Sequence, residues 1–131
     1  MDNASGSDAR LFLVAGALSA AVAVAAGAFG AHALDGVVPP GRIATFETAA
    51  RYEMVHALAL LLVGRMAVGR ADRWLAWSGR LFLVGTVLFS GSLYLLVLTE
   101  TPWLGAITPL GGVAFIAGWL ALAYAAMRET T

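Results

Sequence analysis

Residues 11–31 form a run of 21 positions without one acidic or basic side chain. Two more such runs follow, 19 residues at 81–99 and 27 at 101–127. Crossing the hydrocarbon core of a bilayer takes roughly 20 apolar residues of helix. Backbone polar groups in lipid have no water to bond, so runs of this kind are expected as helices. Composition agrees. Of 131 residues, 60% are hydrophobic and only 12% charged, against roughly a quarter charged in a soluble domain, and the mean hydropathy is +0.83. A soluble fold this small could not hide so much apolar side chain. The sequence therefore predicts an all-α, four-helix transmembrane bundle in a single domain.

The second helix is the least obvious, because its longest run free of acid and base is 54–64. It becomes long enough if it starts near Phe46, ends near Gly69 and lets Arg65 reach outward to the interface; its rise is then about 36 Å. The expected spans are 11–32, 46–69, 79–99 and 104–127. Between the first two, residues 35–41 contain Pro39 and Pro40 and read as a loop, with Thr45 as the N-cap of the second helix. The second loop is arginine-rich, at 70–74, and the third is a tight turn at 100–102. Trp74, Trp77, Trp103 and Tyr124 fall near helix ends, where amphipathic rings favour the interface.

Arginines set the expected orientation. Arg10, Arg65, Arg70, Arg73, Arg80 and Arg128 share one side, and Arg42 and Arg51 the other. The positive-inside rule then puts both termini in the cytoplasm. Residues 11–31 also resemble the apolar core of a cleaved signal peptide, but a single arginine faces Asp2 and Asp8 ahead of it and the run is long for a signal, so retention is expected. Glycines at 16, 27, 30, 85, 91, 111, 112 and 118 suggest helices packed at close range, within one chain or between copies. Zero net charge and the lack of a basic stripe give no attraction for nucleic acid. The absence of cysteine excludes disulfides and thiolate chemistry.

Placed by depth, the polar residues gather toward the outer side: His32 on the first span, Arg51, Tyr52, Glu53 and His56 on the second, Ser90, Ser92 and Tyr94 on the third, and Thr108 at the start of the fourth. Glu53 with His56, Tyr52 with His56 and Glu47 with Arg51 are spaced to share helix faces. Ionisable groups inside a span are costly and usually face the bundle interior or each other. A satisfied structural network is the plainest reading of this cluster; a site for a small molecule, ion or proton is the alternative. His32 and His56 as paired haem or metal ligands lack any further ligand pattern. Glu53 and His56 as a proton relay lack an acceptor in the inner half. Pro109 is expected either to cap the fourth helix or to kink it, with the Thr108 hydroxyl free to bond a released carbonyl.

Four motifs in order resemble the YgdD-like membrane-protein family, domain of unknown function 423. They are Gly-Ala-Phe-Gly-Ala-His-Ala-Leu at 27–34, Phe-Glu-Thr-Ala-Ala-Arg-Tyr-Glu-Met-Val-His-Ala-Leu at 46–58, Phe-Ser-Gly-Ser-Leu-Tyr at 89–94, and Gly-Ala-Ile-Thr-Pro-Leu-Gly-Gly at 105–112, followed by Gly118 and Trp119. The resemblance implies a multi-pass protein of the bacterial inner membrane with no established activity, and its motifs map onto the polar cluster. Ala33 and Glu100 stand where the family pattern leads one to expect glycine. The expected role is a non-enzymatic accessory or assembly component of a larger membrane system, with no cofactor, the lipid bilayer as surroundings, and a membrane-protein partner or self-association open. The alternative is a carrier or sensor that binds a small apolar molecule, lipid or ion at the outer polar layer.

Overall fold

The computed structural model describes residues 3–129. Within them every regular element is helical. Helix α1 (Asn3–Ala25) passes through a wider π-helical segment (Ala26–Gly30) into α2 (Ala31–Leu34), making one rod. Helix α3 (Pro40–Ala67) is the longest single helix, at 28 residues. Helix α4 (Arg73–Gly85) continues through a second π-helical segment (Thr86–Gly91) into α5 (Ser92–Thr99). A 3₁₀ turn (Pro102–Ala106) then leads into α6 (Thr108–Met127).

The ends differ from expectation where local chemistry outweighs charge counting. Helix α3 begins at Pro40, not near Phe46. Proline fits the first helical position, where its missing N–H is no loss and its fixed φ is already helical. Thr45 is therefore not an N-cap; it lies one turn inside, and its hydroxyl donates back to the Gly41 carbonyl at 3.0 Å. Helix α4 begins at Arg73 rather than residue 79, because the Asp72 carboxylate accepts from the Trp74 amide at 2.9 Å and caps the helix there. Pro109 sits in the first turn of α6, so it starts that helix and does not kink it.

Three backbone positions among the described residues take positive φ: Gly36 (76°), Gly69 (72°) and Glu100 (52°). The first two are glycines, which lose nothing there. Glu100 caps α5 in the left-handed region, where only glycine escapes the Cβ penalty. Glu100→Gly should therefore stabilise the protein by about 1 kcal/mol, read as a higher thermal midpoint in detergent. An unchanged or lower midpoint would mean that the glutamate side chain offsets its backbone strain.

Helix α1 packs along α3 and α4 along α6, while α3 also meets α4, α5 and the Thr86–Gly91 segment. Phenylalanines seated on glycines make the seams, four through their rings and Phe89 through its backbone and Cβ. A Cβ at Gly79 would collide with Phe12, at Gly118 with Phe82, at Gly85 with Phe115, at Gly111 with Phe89 and at Gly30 with Phe46. Five of the six phenylalanines thus lie over a missing side chain. Gly16 and Gly64 bring α1 and α3 together, the one beside the Ala57 carbonyl and the other beside Leu13. Gly27, Gly91 and Gly112 would meet only ordinary contacts. Phe12, Phe82, Phe115, Leu60, Val63 and Leu75 form the centre of the buried core.

Outside this core the surface is apolar. Leu18, Val22, Val87, Leu98, Ile116 and Leu120 all point outward, each more than half exposed. In water, every such side chain would forgo about 1.5 kcal/mol or more of burial, and a patch so extensive marks contact with lipid or protein. Three rods, Gly6–Leu34, Arg73–Thr99 and Pro102–Met127, are long and apolar enough to cross a membrane. Helix α3 differs: it carries Arg42, Glu47, Arg51, Glu53 and Arg65, and α1, α4, α5 and the Thr86–Gly91 segment pack against it.

Candidate functional site

Glu53 falls at the midpoint of α3 and is buried. Its carboxylate accepts from the Ser19 hydroxyl of α1 at 2.9 Å through Oε2 and from the Tyr94 hydroxyl of α5 at 2.8 Å through Oε1. One side chain therefore ties three helical elements, with a charge-assisted bond on each oxygen. The Tyr94 ring leans on Phe46, centroids 4.9 Å apart, which fixes the direction of its hydroxyl.

His56, one turn further along α3, is also buried. Its Nδ1 lies 2.8 Å from the Tyr52 carbonyl, and its Nε2 lies 3.0 Å from the Trp119 indole nitrogen of α6. A carbonyl only accepts and an indole N–H only donates. The hydrogen-bond network therefore assigns the proton to Nδ1 and leaves Nε2 as acceptor, which is the neutral imidazole. The ring stacks on Phe115 with centroids 3.5 Å apart and planes within 7°, and Phe82 and Trp119 enclose it.

Hydroxyls complete the interior. Ser90, at the end of the second π-helical segment, donates to the Ala49 carbonyl of α3 at 2.8 Å. Ser92 and Thr108 share a hydrogen bond of 2.7 Å between α5 and α6. Ser78 donates to the Gly118 carbonyl at 2.8 Å. No buried side-chain nitrogen or oxygen among the described residues lacks a partner.

The expected cluster thus divides. Glu53, His56, Ser90, Ser92, Tyr94 and Thr108 face the interior, and Tyr52 stands at its edge, ring against Phe89 with centroids 4.5 Å apart. His32 and Arg51 do not join them: both are exposed, His32 beside Ala28, Phe29 and Ala33 on the outside of the first rod. Helix geometry explains the separation, since Arg51 lies about 200° around α3 from Glu53. Glu47 and Arg51, spaced to share a helix face, form no ion pair among the described residues. Glu53 and His56 share a face but bond to different helices, so they compose two networks and not one relay. The two histidines are not brought together as ligands, and both nitrogens of His56 are already engaged.

Two participants were missed. Ser19 is the one hydroxyl in the 11–31 run, and that isolation was the available signal. Trp119 was legible as part of a motif but not as the donor to His56.

Residues 26–112 match the model of the family described as Protein of unknown function (DUF423). The chain belongs to this family. It is 46% identical over 119 residues to a UPF0382 membrane protein of Staphylococcus aureus (strain bovine RF122 / ET3-1), covering 91% of this chain and 97% of that one. It is 44% identical over 124 residues to the UPF0382 membrane protein YwdK of Bacillus subtilis (strain 168), covering 91% and 98%. No solved structure matches. The DUF423 segment spans all nine residues of the expected cluster, while Ser19, one of the two donors to Glu53, and Trp119, the donor to His56, fall outside it.

Proposed function

We propose that this DUF423 protein is a four-span protein of the bacterial plasma membrane, with α3 as the fourth span and both termini cytoplasmic. It acts there as a non-enzymatic accessory or assembly component of a larger membrane system. The observation that carries this reading is the completeness of the interior: the Glu53 carboxylate and both His56 nitrogens are engaged by partners within the chain. Groups so occupied specify packing and hold helices in register; a carrier or sensor would keep some of them free for its ligand. The apolar outer faces of three rods and the relatives' description as membrane proteins support the bilayer setting. The arginine-rich end, with Arg70 paired to Asp72 and Glu129, supports the orientation.

Topology is tested by labelling. The chain has no cysteine, so Ala71→Cys and Val37→Cys each create a unique thiol on opposite ends of the bundle. An impermeant maleimide added to intact spheroplasts should label the variant at 37 and spare the variant at 71 until the membrane is opened. The reverse pattern inverts the protein, and equal labelling of both makes α3 a non-spanning helix. Role is tested by mild-detergent purification from the native host and mass spectrometry of everything retained. A stoichiometric protein partner supports assembly, whereas a stoichiometric small molecule without a protein partner supports the carrier reading.

A further inference from the structure

Where the first half of α4 meets the second half of α6 the surface holds a groove of about 580 Å³, lined by Trp74, Trp77, Leu81, Ala117, Leu120, Ala121 and Tyr124. The wall residues recur at helical spacing on both helices, so two stripes face each other, and Trp74 meets Tyr124 edge-on at 4.9 Å to close one end. The groove runs about 10 Å along the helix axis, as the seven-residue step from Trp74 to Leu81 sets it. Alanines at 117 and 121 on the α6 side give it depth.

The rim is cationic. Arg73 lies over Trp74 at 5.2 Å, Arg80 over Trp77 at 5.7 Å and Arg128 over Tyr124 at 5.8 Å. Three of the aromatic walls thus each carry a guanidinium. Arg80 is 3.6 Å from Asp8, and Arg128 is at 4.0 Å from Asp72. Arg73 has no carboxylate within ion-pair distance among the described residues. It also lines the polar recess formed with Arg70, Asp72 and Arg128 at the mouth of the groove.

We propose that this groove is a site for one anionic glycerophospholipid, its phosphate held by Arg73 and Arg128 and one acyl chain lying between α4 and α6. An apolar slot alone would take any lipid. Charge complementarity selects an anionic one, since basic pockets between membrane helices on the cytoplasmic side suit such head groups, and the planar guanidinium matches phosphate geometry. Arginine held over an aromatic ring is already partly ordered, so binding costs less conformational freedom. The site is distinct from the Glu53 and His56 networks; it rests on the proposed cytoplasmic orientation of this end but not on the accessory role.

The test uses the full chain reconstituted in equal parts phosphatidylglycerol and phosphatidylcholine with matched acyl chains, extracted mildly and examined by native mass spectrometry. Bound phosphatidylglycerol should exceed phosphatidylcholine about fivefold, the selectivity one well-placed arginine supplies. Arg73→Gln, at an exposed position outside the buried core, should bring the ratio close to one. Ala117→Phe should fill the slot and reduce bound lipid of both kinds, and Arg42→Gln at the opposite end should leave the enrichment intact. Four outcomes overturn the proposal: no enrichment in the wild type, enrichment that survives both groove variants, equal loss in Arg42→Gln, or displacement of the lipid by inorganic phosphate.

Discussion

Glu53→Ala should cost about 3 kcal/mol of stability, and removing all three partners together should cost much less. The carboxylate accepts two hydroxyl bonds from two other helical elements, and hydrogen bonds to a charged group are worth roughly 1.5–3 kcal/mol each. Relief from burying the charge offsets part of that sum. Alanine leaves Ser19 and Tyr94 with no acceptor in an apolar interior, and that orphaning is the main cost. Glu53→Gln keeps one acceptor and should lose about half as much. In Ser19→Ala/Glu53→Leu/Tyr94→Phe nothing is orphaned, and most of the lost stability should return. Thermal midpoints in detergent, checked by reversible titration with a denaturing surfactant, give all three values. A triple variant less stable than Glu53→Ala would show that the carboxylate matters for something other than satisfying its neighbours.

The reach of the sequence reading follows from what each signal measures. Runs without charge report length, and the rods ending at Leu34, Thr99 and Met127 follow them closely. Charge counting set the third helix too late, because Arg73 and Arg80 are compatible with helix and only the Asp72 cap marks its true start. It set the second too late for a different reason: Pro40 reads as a breaker by composition but acts as a starter by position. Depth along the chain gathered His32 and Arg51 with Glu53, yet depth carries no information about direction around a helix. A 3.6-residue wheel through Ala49, Glu53, His56, Ala57 and Leu60 would have separated the inward face from Arg51. The π-helical segments at Ala26–Gly30 and Thr86–Gly91 shift that wheel mid-helix. His32 and Tyr94 lie just beyond them, so their directions could not be projected from the regular helix before. Ser19 was hidden by its plainness, one small hydroxyl among alanines, and its importance emerges only once α1 lies against α3.

The largest effect of a single added carbon is expected at Gly111. A Cβ there would press on the Phe89 backbone nitrogen, and would stand 2.7 Å from the Phe89 Cβ and 2.8 Å from its Cα. Two of these atoms are main chain of the Thr86–Gly91 segment, so no rotamer change relieves the contact and α6 would have to move away. Moving it would loosen the Ser92–Thr108 bond, which joins α5 to the first turn of α6, and would lift Phe115 from its seat on Gly85. Overpacking a tight interior costs roughly 1–3 kcal/mol; with backbone as the obstacle, Gly111→Ala should fall at about 3 kcal/mol. Gly112 is the internal control, since its Cβ would come only within 3.9 Å of the Phe89 ring. Gly112→Ala removes the helix penalty of glycine, roughly 1 kcal/mol, and should be neutral or mildly stabilising. Two adjacent glycines in one motif are thus expected to respond with opposite sign in the same unfolding assay. Equal responses would mean that α6 and the Thr86–Gly91 segment are not in main-chain contact, and the seating of phenylalanine on glycine would no longer account for how the helices meet.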